Sequence, residues 1–363
     1  MDGSFIHAVL PMTLPAQAPH DHWGDIDAQA VDSAASHLRD VLHTVVEHGP
    51  AHNALVVYDT RSDLARALTE GYRRNLTHGQ FIDFDTIAPT EVLAAFRRMQ
   101  AHDLVVLIQS TNFRLEAFRI RVELFKLGLK VIEHVHLSRM PGAQGAHYIE
   151  ALAYDSAYYR GVGQALKARI DAAASARVHG GGEVLVFASA LEPAKLNIGH
   201  YSGMNNVGGQ FPIGEVFTEA QDLEAVNGRV QVHVFGDTAY LVNRPDTPIT
   251  LVIERGRVVR AIDATPEFDK LLDIITADEG EVWVRELGFG MNRAFTRERR
   301  VNDIGTYERM CGIHLSLGAK HGVYQKSGFK RKDARYHVDV FAVTDAVYLD
   351  DELVYKDGGW CVA

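Results

Sequence analysis

Short apolar segments alternate with amphipathic ones along the first half of the chain, and this alternation limits the fold more than any other feature. Four segments have the length and composition of buried strands: Ala54–Tyr58, Gln80–Phe84, Leu104–Ile108 and Lys130–Val135. Segments in which the apolar residues have helical spacing precede and separate these strands: Asp27–His48, Asp63–Tyr72, Glu91–Gln100 and Leu115–Leu127. Such alternation predicts a parallel sheet with helices on its faces.

Ligand sites on sheets of this type lie at the carboxyl ends of the strands. Here those ends are Asp59–Arg61, Gln109–Asn112 and His134–Ser138, and none contains a glycine-rich phosphate loop. A dinucleotide site is therefore not expected. The pair His134 and His136 resembles metal-ligand spacing, although two half-exposed histidines at a strand end are the more common explanation.

A glycine run, Gly180–Gly182, separates two regions with different patterns. Before it, apolar residues predict one long helix over His147–Ala174. After it, one helix over Pro266–Ile275 lies among segments of strand composition: Glu183–Phe187, Val230–Phe235, Thr250–Glu254, Arg257–Arg260 and Glu281–Arg285. We therefore predict an α/β fold, with a parallel-sheet domain at residues 1–179 and a β-rich α+β domain at residues 180–363.

Charge and composition exclude several classes of function. The 363 residues are 47% apolar, enough for two cores, and no stretch approaches the roughly 18 apolar residues of a membrane span. The segment Met1–Asp25 lacks the pattern of a signal peptide, and two cysteines are too few for a disulfide framework. A net charge of −10 argues against a nucleic-acid partner. We expect a cytoplasmic protein without membrane or nucleic-acid partners.

An imidazole and a carboxylate stand two residues apart in the apolar run Tyr336–Phe341. If the run is a strand, His337 and Asp339 leave the same face, with their Cα atoms about 7 Å apart. That spacing suits a divalent metal ion. The alternative is a histidine and an aspartate on the solvated face of a half-buried strand, so convergence of further ligands decides between the two.

Three more ligand-type residues stand in apolar or glycine-rich surroundings. Glu215 follows Gly214 and precedes an apolar run, Glu286 ends an apolar strand before a glycine loop, and His314 lies in an apolar segment that we expect to be helical. A carboxylate in such surroundings is destabilising unless a cation or a donor meets it. A single histidine there is usually a hydrogen-bonded core residue.

Together, two glutamates, two histidines and one aspartate predict a metal-binding second domain. Carboxylates mixed with imidazoles suit zinc, manganese, cobalt or ferrous iron, and three carboxylates can bridge and neutralise two divalent ions. We therefore expect two metal ions that activate a bridging water, with a carboxylate taking the proton and the metals polarising a carbonyl oxygen.

Four motifs, FPIGEVFT, RELGFG, GIHLSLG and HVDVFA, follow one another in this order. The series resembles the aminopeptidase T family of two-metal exopeptidases. The resemblance implies a homodimer, a small peptide or amide substrate, and two divalent ions of zinc, cobalt or manganese. It also implies a ligand set, in which Glu286 is in addition a candidate for the proton-handling base: Glu215, Glu286, His314, His337 and Asp339.

The connection after the third motif departs from that family. Family members carry an active-site tyrosine seven residues after the motif histidine, where this chain has His321, and the nearest tyrosine is Tyr324. The resemblance therefore implies His321 and Tyr324 as catalytic candidates. The same connection contains a basic run, Lys326–Arg335, which is either a solvated loop or a holder of a carboxylate-bearing substrate near the metal.

A second resemblance leaves an alternative open. The tail FKRKDARYHVDVFAVTDAVYLDD is similar to that of the 2,5-dihydroxypyridine 5,6-dioxygenases. This resemblance implies one ferrous ion, Fe(II), held by His314, His337 and Asp339 with open positions for oxygen and substrate. In that group the position of Glu286 is a histidine, so the glutamate favours the two-metal set. A third possibility is a non-catalytic binding protein on the same scaffold, because a fold does not fix a function.

Overall fold

The structure is a computed structural model that describes residues 27–115, 119–326, 328–329 and 333–362. Its first region alternates strands and helices in the predicted order: α1 (Ala28–Asp40), β1 (Ala54–Tyr58), α2 (Asp63–Asn75), β2 (Gln80–Asp83), α3 (Pro89–Arg98), β3 (Leu104–Ile108), α4 (Ile120–Lys126) and β4 (Lys130–His134). The four strands are parallel, in the order β2-β1-β3-β4. The predicted parallel-sheet α/β region is confirmed, while residues 116–118 of the helix expected over Leu115–Leu127 lie outside the described residues.

The single long helix expected over His147–Ala174 is wrong, because the structure contains two helices there: α5 (Ala143–Ala151) and α6 (Ser156–Ala172). The Asp155 carboxylate accepts a hydrogen bond from the backbone N–H of Tyr158 at 3.1 Å. This side chain caps a new helix and so replaces the continuation of the old one. Among the described residues, no helix is both long and apolar enough to cross a membrane.

The second region is rich in strands, as predicted. Its elements are β5 (Ala176–Gly180), β6 (Glu183–Phe187), β7 (Lys195–Asn197), β8 (Gly208–Gln210), β9 (Glu215–Glu219), β10 (Val226–Gly236), β11 (Val242–Asn243), β12 (Ile249–Glu254), β13 (Arg257–Ile262), α7 (Pro266–Glu279), β14 (Val284–Gly290), α8 (Ile304–Tyr307), β15 (Gly312–Leu317), β16 (Val338–Ala342), β17 (Ala346–Leu349), β18 (Glu352–Lys356) and β19 (Gly359–Trp360). All strands except β8 form one 14-stranded antiparallel sheet. In this sheet β16, β15, β14 and β9 are consecutive neighbours.

The two sheets exchange chain segments near the predicted division of the domains. Gly181 and Gly182, with φ of 60° and 83°, form the turn between β5 and β6, so the glycine run lies inside the large sheet. Conversely, β8 comes from the second region of the chain but belongs to the small sheet, where it pairs in parallel with β4. The division at residue 180 stays a prediction, and the fold around it is interlocked.

His134, the last residue of β4, is a core histidine. Its Nε2 and Nδ1 each lie 2.8 Å from a tyrosine hydroxyl, those of Tyr72 and Tyr148 respectively. Tyr148 in turn donates its proton to the carbonyl of Phe211, so Nδ1 donates to Tyr148 and Tyr72 donates to Nε2. This network suits a neutral ring, and burial lowers the pKa of His134 to about 3.

The neutral ring of His134 makes stability depend on pH. Below the usual histidine pKa near 6.5 the unfolded chain takes up a proton that the folded chain excludes until about pH 3. We expect this residue to lower the free energy of unfolding by about 2 kcal/mol between pH 7.5 and 5. Thermal unfolding with a chelator present would test this, and a His134→Gln variant, which does not titrate, should show a weaker pH dependence. Equal pH dependence of the two proteins would contradict the prediction.

Candidate metal centre

Neighbouring strands of the large sheet carry the predicted ligands. Asp339 lies in β16, His314 in β15, Glu286 in β14 and Glu215 at the start of β9, while His337 immediately precedes β16. These residues are far apart in sequence and meet because the four strands lie side by side. The structure therefore brings all five predicted ligand residues to one part of the sheet.

The helix expected around His314 is wrong, because the segment is the strand β15 and every residue in it is buried. A strand covered on both faces is a continuous apolar run without the alternation that marks a half-exposed strand. Opposite His314 lies Gly288 of β14. A Cβ atom added at Gly288 would lie 2.1 Å from Nε2 of His314, so the RELGFG motif requires glycine there to leave room for the imidazole.

The five side chains form two overlapping groups of three. Ligand atoms of Glu215, Glu286 and His314 lie within 4.8 Å of one another, and so do those of Glu286, His337 and Asp339. Glu286 belongs to both groups, which is the position of a carboxylate that can bridge two ions. Within the described part of the chain, His314 does not form such a group with His337 and Asp339.

An unpaired buried atom and close carboxylates indicate that cations fit this centre. Oδ1 of Asp339 is buried and has no hydrogen-bond partner in the described chain, because the nearby Nε2 of His337 does not meet it with hydrogen-bond geometry. Nε2 of His314 lies 3.2 Å from Glu215 and 3.4 Å from Glu286. Three buried carboxylates close together are destabilising without compensating positive charge. Hard carboxylate and imidazole donors of this kind suit a divalent metal ion.

His337 is oriented as a ligand by the backbone. Its Nδ1 lies 3.2 Å from the carbonyl oxygen of Lys320, which can only accept, so Nδ1 carries a proton. The other nitrogen, Nε2, lies 3.2 Å from Oδ1 of Asp339. In metal-binding histidines the nitrogen that does not bind the metal typically donates to a carbonyl or carboxylate, as Nδ1 does here. Partial burial lowers the pKa of His337, but Asp339 outweighs it and raises the pKa to about 10, so an ion at Nε2 would displace a proton.

His321 has the opposite arrangement of its nitrogens. Its Nδ1 accepts hydrogen bonds from the backbone N–H groups of Val323 and Tyr324 at 3.1 and 3.3 Å, so the ring proton is on Nε2. Nε2 lies 3.0 Å from Oε2 of Glu286, although the angle departs from that of a hydrogen bond. His321 therefore presents a donor to the shared carboxylate and lacks the free lone pair that a metal ligand needs.

Glu286 stays ionised in this setting. Burial alone would raise the pKa of its carboxyl, but His314 and His321 outweigh burial and lower the pKa below its usual range. Tyr324 makes its contacts elsewhere: its hydroxyl donates to the carbonyl of Pro193 at 2.8 Å. The two catalytic candidates of the connection thus lie differently, His321 against the shared ligand and Tyr324 against backbone.

Arg309 is a charged residue of the centre that the sequence analysis missed. Its Nη1 lies 2.8 Å from Oε2 of Glu215, and its side chain is buried. The guanidinium also contacts Glu308. Burial, reinforced by Glu215, raises the pKa of Glu308 to about 8 against the lowering effect of Arg309. An arginine next to a buried strand was the available signal, because such a charge needs a buried partner.

A cavity of about 570 Å³ opens onto the centre. His337 and Asp339 line it from the large sheet, and segments that follow β3 and β4 contribute further walls: Asn112, His136 and Arg139. The predicted importance of these strand ends agrees with this placement. The described ends of the basic run point elsewhere, since Lys326 contacts Glu192 and Arg335 lies 3.1 Å from Asp278. Residues 327 and 330–332 of that run lie outside the described residues.

Comparisons with known proteins give a likeness in structure. No protein-family model and no curated protein matches the chain. The solved structures that share its fold include two enzymes. The 2,5-dihydroxypyridine dioxygenase from Pseudomonas putida KT2440 matches with a TM-score of 0.59 and 18% identity, over 93% of this chain and 98% of that one. Wild-type AmpT from Thermus thermophilus matches with a TM-score of 0.55 and 14% identity, over 91% of this chain and 99% of that one.

Both alignments span nearly the whole chain, so they include the parallel sheet as well as the large antiparallel sheet. The two resemblances predicted from the sequence, to aminopeptidase T and to the dihydroxypyridine dioxygenases, are confirmed as structural neighbours. At these identities the likeness establishes the fold. The chemistry has to be argued from the side chains at the centre.

Proposed function

We propose that the chain is a metal-dependent hydrolase of the aminopeptidase T type, which removes the N-terminal residue of a small peptide or cleaves a related amide. The observation that carries the proposal is the pair of ligand groups that share Glu286. The resemblance to aminopeptidase T leads us to propose a homodimer as well. The low cysteine content and the net charge of −10 lead us to propose a cytoplasmic protein without nucleic-acid partners.

The ligands would be Glu215, Glu286, His314, His337 and Asp339. Divalent ions held there would polarise a carbonyl oxygen and make water more acidic. The carbonyl of Lys320 holds the ring of His337, and Nε2 of His321 faces the shared carboxylate of Glu286. The adjoining cavity has room for a small substrate, with its reacting end at His337 and Asp339.

Charge balance supports two ions of unequal affinity. Three carboxylates carry three negative charges, and Arg309 compensates one, so a single divalent ion would neutralise the centre. We assign the tighter ion to Glu286, His337 and Asp339. The weaker ion belongs to the group that contains Glu215, since Arg309 already holds one oxygen of that carboxylate. Zinc, cobalt and manganese all suit these donors.

Metal analysis of protein purified without added metal, combined with hydrolysis of leucyl-glycine, tests the proposal. We expect about one tightly bound ion per chain, a second at higher zinc, cobalt or manganese concentration, and hydrolysis that a chelator abolishes. Arg309→Met should strengthen binding of the second ion, because it frees an oxygen of Glu215. A chain that binds no divalent metal would refute the proposal.

A ring-cleaving Fe(II) dioxygenase is the second candidate. One group alone, Glu286 with His337 and Asp339, offers three ligand atoms and could hold a single divalent ion, which would make the site mononuclear. In that case the anaerobically reconstituted ferrous protein would consume oxygen with 2,5-dihydroxypyridine and would leave leucyl-glycine intact. Hydrolysis without such oxygen uptake would remove this candidate.

A further inference from the structure

We propose that His136 is a catalytic proton carrier and that Asp303 positions it, in a part of the site that no ligand motif contains. The inference rests on the proposed hydrolase and names the residue that would move the proton in its reaction. Both residues line the cavity that His337 and Asp339 also line.

Asp303 is a rigid, buried carboxylate. Its side chain is 1% exposed, and Oδ2 accepts hydrogen bonds from the backbone N–H and the hydroxyl of Thr306 at 3.0 and 2.9 Å. The other oxygen, Oδ1, lies 2.7 Å from Nδ1 of His136 and 3.1 Å from Nη1 of Arg139. Every contact of Oδ1 is therefore directed at the loop that follows β4.

The contact with Asp303 fixes the tautomer of His136. A carboxylate held by Arg139 accepts, so Nδ1 of His136 donates, and in the neutral ring Nε2 is the nitrogen with the lone pair. Nε2 has no hydrogen-bond partner within the described chain, and this atom is not fully buried. His136 has a left-handed backbone, with φ of 55°, two residues after the end of β4. Such strained conformations outside glycine concentrate at functional positions.

The dyad supplies something that the metal ligands lack. Both oxygens of Glu286 are contacted by imidazoles, Oε1 by His314 and Oε2 by His321, so this carboxylate is a poor proton acceptor. His136 instead offers a free nitrogen oriented by a carboxylate, the arrangement that activates a base in many hydrolases.

The proton balance of amide hydrolysis assigns its role. The oxygen of water forms a bond to the carbonyl carbon, and one proton of that water moves to Nε2 of His136. The carbon–nitrogen bond then breaks as the same proton passes to the leaving nitrogen, which departs as an amine. Asp303 stabilises the imidazolium between the two transfers.

Two substrates with different leaving groups test this role. In a His136→Gln variant with zinc we expect kcat for leucyl-glycine to fall by about 10² to 10⁴. The fall should be smaller for leucine p-nitroanilide, because its leaving group needs little protonation and only the proton transfer from water is then lost. KM and zinc content should not change. Imidazole should restore activity to His136→Ala, and Asp303→Asn should reduce kcat in the same selective way. An exposed histidine is the control, and His78→Gln should behave as wild type.

Nitrogen NMR of the full-length protein gives a readout that does not depend on turnover. We expect a proton on Nδ1 of His136 in the wild type and a shift toward Nε2 protonation in Asp303→Asn. Protonation of Nε2 in the wild type, zinc loss in His136→Gln, or equal losses with both substrates would overturn the inference. If the wild type shows the expected tautomer but hydrolyses neither substrate, the proposed function fails and the dyad stands.

Discussion

Glu286→Gln is expected to reduce zinc affinity by more than about 100-fold and to bring leucyl-glycine hydrolysis to background. Replacing a residue that only supports a metal ligand already lowers metal affinity 10-fold to 100-fold. Glu286 is itself a ligand and belongs to both ligand groups, so its replacement should lower the affinity further. Glutamine keeps the shape but removes the charge that binds the ions. Competition of the variant with a chromogenic chelator for zinc would measure the affinity.

The matched control for this variant is Glu281→Gln. Glu281 lies five residues earlier in the sequence, its side chain is exposed, and it pairs with Arg257 away from the ligand groups. Its variant should keep the zinc affinity and activity of the wild type. Glu286→Gln with unchanged zinc affinity would show that the shared carboxylate is not a ligand, and the proposed centre would have to be abandoned.

Arg285→Met should destabilise the fold by about 3 to 5 kcal/mol, because it leaves a buried carboxylate without its partner. Arg285 is 1% exposed and pairs with Glu219, which is fully buried. Its guanidinium also donates to the carbonyls of Ala319 and Tyr324. Lys326 lies 3.6 Å from the other oxygen of Glu219 and compensates only part of the loss. Chemical denaturation of the metal-free protein would measure the change.

The same variant should also weaken metal binding, for a separate reason. The carbonyls that Arg285 holds flank the segment in which Lys320 orients His337 and His321 faces Glu286. A double variant, Arg285→Met with Glu219→Met, removes both charges and should recover most of the stability. It should not recover the zinc affinity, because the segment remains untethered. Recovery of both properties would mean that Arg285 stabilises the fold without organising the centre.

The parallel sheet could be predicted because its signals are local. Every residue of β3 is buried and apolar, and the Ser62 side chain caps α2 through the N–H of Ala65. The strand β15 is also buried throughout, yet it was expected to be helical. A segment buried on both faces lacks the alternation of apolar and polar residues that distinguishes a strand from a helix. The break between α5 and α6 depends on the N-terminal cap at Asp155, which the spacing of apolar residues does not predict.

The five ligands could be predicted because each motif places an ionisable residue where burial requires a partner. The rest of the centre depends on contacts between distant segments. Arg309 meets Glu215 across 94 positions, and His136 meets Asp303 across 167. Neither pair has a local pattern, since only the arrangement of the strands brings the partners together.

The return of β8 to the small sheet has a consequence for biosynthesis. On the ribosome, β4 keeps an open edge until Gln210 has been made, after the strands β5 to β7 of the other sheet. An open edge can pair with other nascent chains. Glu215 emerges shortly after Gln210, so closure of that edge and delivery of the first ligand coincide during translation. A fragment that ends at the glycine run would keep the open edge permanently, so expressing the first region alone invites aggregation.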